Sequence, residues 1–113
     1  MKVETFWEYI KSLENRVVYT LTKNEKNTIN LVEDTGRMSD RVIIEQRESF
    51  PTREDLWAAY QRLTIQKKLN RIPDLEWLKE KRVSSIVFAI LSTMPNVSIQ
   101  DAGKNNPTLL IDN

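Results

Sequence analysis

The sequence contains no cysteine and no histidine, only two glycines and four prolines, and no long apolar run. Without cysteine there can be no disulfide, no thiolate zinc site and no cysteine nucleophile. Without histidine there can be no Ser–His–Asp triad, and no imidazole can act as a base or bind a metal. We therefore expect a protein that is not an enzyme and that has no catalytic residue, no metal site and no cofactor.

The sequence also lacks an excess of charge of one sign. It has 17 basic and 16 acidic residues, and its formal net charge is +1. Such a chain has no overall field towards DNA or a membrane, so any basic function must come from local clustering. No run approaches the roughly 20 apolar residues that span a bilayer, and charges interrupt the apolar positions of the N-terminal MKVETFWEYIK. We expect no signal peptide, no membrane partner and a cytoplasmic location.

The length of 113 residues predicts a single domain over 1–113, in which two lobes can be distinguished by their patterns. The first lobe, 1–50, begins with apolar residues at helical spacing, which predict a helix over 3–14. Three segments rich in β-branched residues follow, and their short polar links predict an antiparallel meander. Its strands are predicted over 17–22, 27–33 and 41–47.

The second lobe, 51–113, begins as a helix. Thr52 and Asp55 have the spacing of a capping box, which predicts a helix start at this point. Apolar stripes separated by breaking residues predict three helices in succession. These helices are predicted over 53–69, 74–81 and 84–94.

The C-terminal residues change to a strand-like pattern. Two short apolar pieces, 97–100 and 108–111, enclose a polar loop that contains Gly103, and together they predict a β-hairpin. The predicted fold class is therefore α+β. An N-terminal helix and a three-stranded antiparallel meander precede a three-helix unit with a C-terminal β-hairpin.

The order of long helix, short helix, third helix and hairpin in the second lobe resembles a winged-helix domain, a variant of the helix-turn-helix. The matching segments are 53–69, 74–81, 84–94 and the hairpin 97–111, about half of the chain, and the resemblance rests on their order. In that family the third helix usually lies in the DNA major groove, while the wing contacts the backbone or the minor groove. The resemblance therefore implies double-stranded DNA as a partner.

Basic residues cluster in the part of the chain that leads to the third predicted helix. Residues 61–82 carry seven basic and three acidic side chains, whereas 1–60 have a net charge of −2 and 83–113 a net charge of −1. Clustered Lys and Arg neutralise phosphates and release counterions when they bind a duplex. The residues predicted to bind nucleic acid are Lys67, Lys68, Arg71, Lys79, Lys81, Arg82, Ser84, Ser85 and Lys104.

The third predicted helix has few side chains that could read bases. Direct readout favours Arg, Lys, Asn or Gln, and none follows Arg82 before the helix ends. Its outer face would instead hold Phe88 with serine and threonine, and Ser84 and Ser85 are also predicted to cap it. We therefore expect a small non-catalytic accessory or regulatory protein that binds nucleic acid mainly through the phosphate backbone.

The alternative is a protein–protein interaction module, an adaptor or an inhibitor that could be a homodimer, with a winged-helix-like fold and no nucleic acid. Near-neutral charge favours this alternative, as would exposed Phe88 and Tyr60. The basic run 67–71 also has a structural interpretation, as the solvated end of a helix whose dipole it complements. Core packing is predicted for the three tryptophans, Trp7, Trp57 and Trp77.

Overall fold

The computed structural model describes residues 1–102 and 104–112. Gly103, which the sequence places in the hairpin loop, lies outside the described residues. The described part contains α-helices and two antiparallel sheets of three strands each, which confirms the predicted α+β class. No helix within it has both the length and the apolarity needed to cross a membrane.

Helix α1 (Val3–Lys11) begins the first lobe. Its apolar residues recur every three or four positions, so Phe6, Trp7 and Ile10 are all buried. The helix predicted over 3–14 is confirmed, but it is shorter at its C-terminal end. Asn15 follows it in the left-handed region, with a φ of 68°, a conformation that asparagine tolerates better than most residues.

The predicted meander is confirmed, with its longest strand in the centre. Strand β1 (Val17–Tyr19) pairs with β2 (Lys26–Val32), and β2 pairs with β3 (Val42–Ile44), both antiparallel. The outer two strands are shorter than predicted. A register shift between Ile29 and Leu31 turns Leu31 towards solvent, while Val32 returns to the core.

Helix α2 (Arg53–Gln66) begins at the predicted capping box. The backbone N–H of Asp55 donates to the Thr52 hydroxyl at 3.1 Å, and the backbone N–H of Thr52 donates to the Asp55 carboxylate at 3.0 Å. The prediction that this helix reaches residue 69 is wrong. Lys67 has a left-handed φ of 67°, which ends the helix and redirects the chain.

The predicted hairpin belongs to a larger sheet. Strand β4 (Lys68–Asn70), which the sequence pattern assigned to a helix, pairs with β6 (Thr108–Ile111), and β6 also pairs with β5 (Val97–Gln100). The strand order is β4-β6-β5. Because an isolated two-stranded hairpin is at best marginally stable in water, the third strand explains how this hairpin holds its register.

The helix predicted over 74–81 is interrupted. A helical turn, α3 (Arg71–Asp74), is followed by a 3₁₀ helix (Glu76–Leu78), and neither continues to residue 81. Helix α4 (Ser84–Ser92) begins as predicted and ends two residues earlier than predicted. Its N-cap is Val83, and no side chain caps it, so the prediction that Ser84 and Ser85 form the cap is wrong.

Helix α4 is buried along most of its length, because it packs against α2, β5 and β1. Its six successive residues Ile86–Leu91 are all buried, which is the pattern of a core helix. The expectation of an exposed Phe88 and Tyr60 is therefore wrong, since their exposed fractions are 1% and 8%. Residues of both lobes contribute to one contiguous apolar core.

The tryptophans are divided between core and surface. Trp7 is buried, and Trp57 is partly buried against the core, with its ring 5.3 Å from that of Phe6. Core packing is thus confirmed for these two. The prediction is wrong for Trp77, which is 44% exposed in the 3₁₀ helix.

Candidate nucleic-acid interface

The turn 79–82 connects the 3₁₀ helix to α4 and presents its four residues to solvent. The backbone N–H of Arg82 donates to the carbonyl of Lys79 at 3.0 Å, which closes the turn. Arg82 has a left-handed φ of 59°, an uncommon conformation for a residue with a long side chain. The turn therefore places Lys79 and Arg82 immediately before the first turn of α4, together with the acidic Glu80.

The three cations of this turn differ in whether they form an ion pair. The Lys81 Nζ donates to both carboxylate oxygens of Asp55, at 2.8 and 2.7 Å, and therefore supports the residue that caps α2. Within residues 1–102 and 104–112, neither Lys79 nor Arg82 has a carboxylate within 4.0 Å. Lys81 thus has a structural role, whereas Lys79 and Arg82 form no ion pair within the described residues.

The remaining predicted residues lie near different ends of the sheet of the second lobe. Asn70 pairs with Thr108, and Thr108 pairs with Gln100, so these residues mark the end of the sheet from which the hairpin loop extends. Arg71 directly follows Asn70 and therefore lies at this end. Lys104 is exposed in this loop. Lys67 and Lys68 are exposed near the other end, where Lys68 lies opposite Leu110. The predicted residues therefore come from both ends of this short sheet.

A cavity of about 260 Å³ lies where the two lobes meet, beside the first turn of α4. One wall is the link between β1 and β2, and the other walls come from the segment after β3, the start of α3 and α4. Its lining combines apolar side chains with side chains that carry hydroxyl groups or charges. The residues that line it are Thr20, Leu21, Thr22, Lys23, Glu25, Arg47, Arg71, Ser85 and Phe88.

Arg47 is fixed in this cavity by groups from both lobes. Its Nε donates to the Asn27 side-chain oxygen at 2.8 Å, and its Nη2 donates to the Ser85 hydroxyl at 3.2 Å. Its Nη1 is 3.5 Å from the Arg82 carbonyl oxygen. Burial lowers the pKa of this guanidinium, and the charge of Glu25 counteracts part of that lowering. Arg47 was not among the predicted residues, because nothing in the sequence indicates that it approaches residues 82–88.

Arg71 shares the cavity with Arg47. Its Nε is buried and has no hydrogen-bond partner among the described residues. A smaller cleft of about 210 Å³ lies on another side of Arg47, lined by Glu48, Ser49 and Arg82. Arg47 therefore belongs to both concave surfaces, one containing Arg71 and one containing Arg82.

The described residues include no group of three or more aspartates or glutamates placed to hold a metal ion. Comparison with protein-family models, with curated proteins and with solved structures gave no match to this chain.

Proposed function

We propose that the protein is a small non-catalytic accessory or regulatory protein that binds double-stranded DNA mainly through the phosphate backbone. The observation that supports this proposal most directly is the turn 79–82. It presents Lys79 and Arg82 to solvent, and no carboxylate of the described residues lies within 4.0 Å of either cation. Uncompensated cations of this kind displace condensed counterions when they contact phosphates, which favours binding at low salt.

The architecture of the second lobe supports a winged-helix-like mode of binding. Helix α2, a short helical segment, α4 and a hairpin follow each other in the predicted order. Because Ile86–Leu91 are buried, the side chains in the middle of α4 cannot contact base edges. Ser84 and Ser85 are half-buried and lie in its first turn, beside Arg82, where contacts with phosphates are sterically available.

The hairpin loop supplies a second point of contact in this proposal. Lys104 is exposed there, at the same end of the sheet as Arg71. Lys67 and Lys68 lie nearer the opposite end, so we expect them to contribute less. Lys81 is expected to contribute mainly through Asp55, because its Nζ is already bound to that carboxylate.

The proposal can be tested by fluorescence anisotropy with a labelled duplex of random sequence, titrated over a range of salt concentrations. We expect the double variant Lys79→Gln with Arg82→Gln to weaken binding at low salt. Because each phosphate contact contributes a slope of about −0.9 in log K against log salt, the slope should become shallower by about 1.8. Circular dichroism checks that the variant is folded.

A matched control removes the same charge elsewhere. The double variant Lys2→Gln with Lys26→Gln changes two exposed lysines of the first lobe, and it should retain the salt slope of the unchanged protein. Equal weakening by both double variants would mean that binding depends on net charge and not on the turn. No binding of any duplex at low salt would contradict the proposal.

The alternative function, a protein–protein interaction module, is favoured by one surface of the first lobe. Val17 and Tyr19 on β1 and Leu31 on β2 are all exposed on the outer side of the meander. Exposed apolar side chains on a sheet are suited to contact with another protein. If no duplex binds, light scattering on the purified protein would show whether this surface pairs two copies.

A further inference from the structure

The residues that line the cavity beside α4 carry an excess of positive charge. Lys23, Arg47 and Arg71 line it, and the one carboxylate that lines it is that of Glu25, so the lining has a net charge of +2. Within the described residues, no carboxylate lies within 4.0 Å of Arg47 or Arg71. Arg47 and Arg71 are both half-buried, and cations that are partly withdrawn from water are normally paired, so the cavity is suited to an added anion.

The hydrogen-bonding capacity of the two arginines is also incompletely used. The Nε of Arg71 is buried without an acceptor. Arg47 donates one N–H to Asn27 and one to Ser85, and its contact with the Arg82 carbonyl is long, at 3.5 Å. The Nε of Arg71 is itself closed to solvent, but each guanidinium has five N–H donors, so the Nη groups of both arginines have donors to spare for a ligand.

The groups around these arginines match an oxyanion with several oxygens. The hydroxyls of Thr20, Thr22 and Ser85 line the same cavity. Ser85 also lies in the first turn of α4, which no side chain caps, and the N-terminal end of a helix favours negative charge. Arginine forks and hydroxyl groups together are the donors that recognise phosphate.

We propose that this cavity is a binding site for a small phosphate-bearing anion, with Arg47 and Arg71 as its principal ligands. A lining charge of +2 matches a phosphate dianion better than a single carboxylate. The volume of about 260 Å³ is below that of most sites for drug-sized ligands, so the site accommodates a phosphate group with a small organic remainder. Leu21, which is half-buried, supplies an apolar surface for that remainder.

The test is a titration of the whole protein with inorganic phosphate at constant ionic strength, followed by two-dimensional NMR of the backbone amides and the arginine Nε–H groups. We expect saturable shifts at Arg47, Arg71 and the first turn of α4. Arg71→Gln removes one charged donor and should weaken binding about tenfold or more. Arg62→Gln removes an arginine outside the cavity, which pairs with Asp74, and it should leave binding unchanged.

The same titration distinguishes the sources of the phosphate group. Glycerol phosphate tests a phosphomonoester, and single-stranded oligonucleotides with and without a 5′-phosphate test a nucleic-acid terminus. Tighter binding of either probe than of inorganic phosphate would assign the source. Shifts that do not saturate with any of these probes would overturn the proposal, as would binding that Arg71→Gln leaves intact. Inorganic phosphate tests this site without DNA, so its result is independent of the proposed function.

Discussion

Arg53 and Arg71 both have a buried Nε without a hydrogen-bond acceptor, yet the charges around them differ. The Arg53 side chain is 7% exposed, and its Nη2 lies 3.2 Å from Asp34 and 3.5 Å from Asp40. Its guanidinium also lies over the Trp7 ring, 4.8 Å from the centroid. Arg71 has no carboxylate at such a distance among the described residues and shares its cavity with a second arginine. One arginine is thus neutralised by the fold, and the other retains its charge for a ligand.

The neutralised arginine has a structural task. The Asp40 carboxylate accepts hydrogen bonds from the backbone N–H groups of Thr35, Gly36 and Arg37, which folds the loop after β2 around it. Gly36 permits this with a φ of 83°, in the region that favours glycine. Arg53 joins this loop to the start of α2. No comparable task is visible for Arg71, and this contrast makes its cavity the better candidate for function.

The largest effect is expected from Arg53→Met. This change leaves Asp40 buried without its cation, and removing one partner of a buried ion pair typically costs about 3–5 kcal/mol of unfolding free energy. Urea unfolding followed by circular dichroism measures the loss. Arg41→Gln is the control, because its pair with Glu33 is exposed and should matter much less. Equal losses in the two variants would contradict the structural role of Arg53.

A smaller effect is expected from acid, and the Asp40 region contributes to it. Burial by itself would raise the pKa of Asp40, but hydrogen bonds from Thr35 and Arg37 and the charge of Arg53 outweigh it and hold the pKa below 3.8. The stabilisation is therefore present above the unfolded-state pKa and is lost as the pH falls through the lower, folded-state value.

Unfolding free energies measured from neutral pH to about pH 2 test this expectation. Asp40→Asn should be less stable than the unchanged protein at neutral pH and should have a flatter profile in acid. Arg71→Met should keep the profile of the unchanged protein, because no carboxylate of the described residues lies within 4.0 Å of Arg71. A profile that Asp40→Asn does not alter would show that other carboxylates control acid unfolding.

The smallest effect is expected from Arg71→Met in buffer without phosphate. Because the Nε of Arg71 has no partner, its removal should change the unfolding free energy by less than about 1 kcal/mol, and the variant could be the more stable protein. Chemical denaturation at matched ionic strength measures the difference. A loss as large as that of Arg53→Met would mean that Arg71 is structural, and the contrast between the two arginines would then disappear.

Local patterns predicted several elements correctly because the interactions that form them are short in sequence. The capping box of Thr52 and Asp55 joins residues three apart, and the stripe of Phe6, Trp7 and Ile10 lies on one helix. The meander follows from neighbouring strands with short links. Strand β4 was missed because Lys68–Asn70 has no strand pattern of its own, and its conformation depends on pairing with β6, about 40 residues later.

The candidate site was predicted only in part, for the same reason. The basic segment 61–82 could be identified from composition, but the separation of Lys81 from Lys79 and Arg82 depends on Asp55, 26 residues earlier. Phe88 was expected on an outer face because a single apolar stripe was assumed. Instead, β1 of the first lobe also covers α4, so the helix is buried on several sides.

The sequence alone determined the α+β class, the positions of most elements and the location of the basic segment, because composition and local spacing control these properties. Only the tertiary structure decided which charges are neutralised. It brought Asp55 to Lys81, gave Arg53 two carboxylates, and placed Arg47 and Arg71 around a cavity whose lining keeps a net positive charge. The physical reason is that a charge interacts over a few ångströms of space, whereas the groups that meet here are separated by many residues of chain.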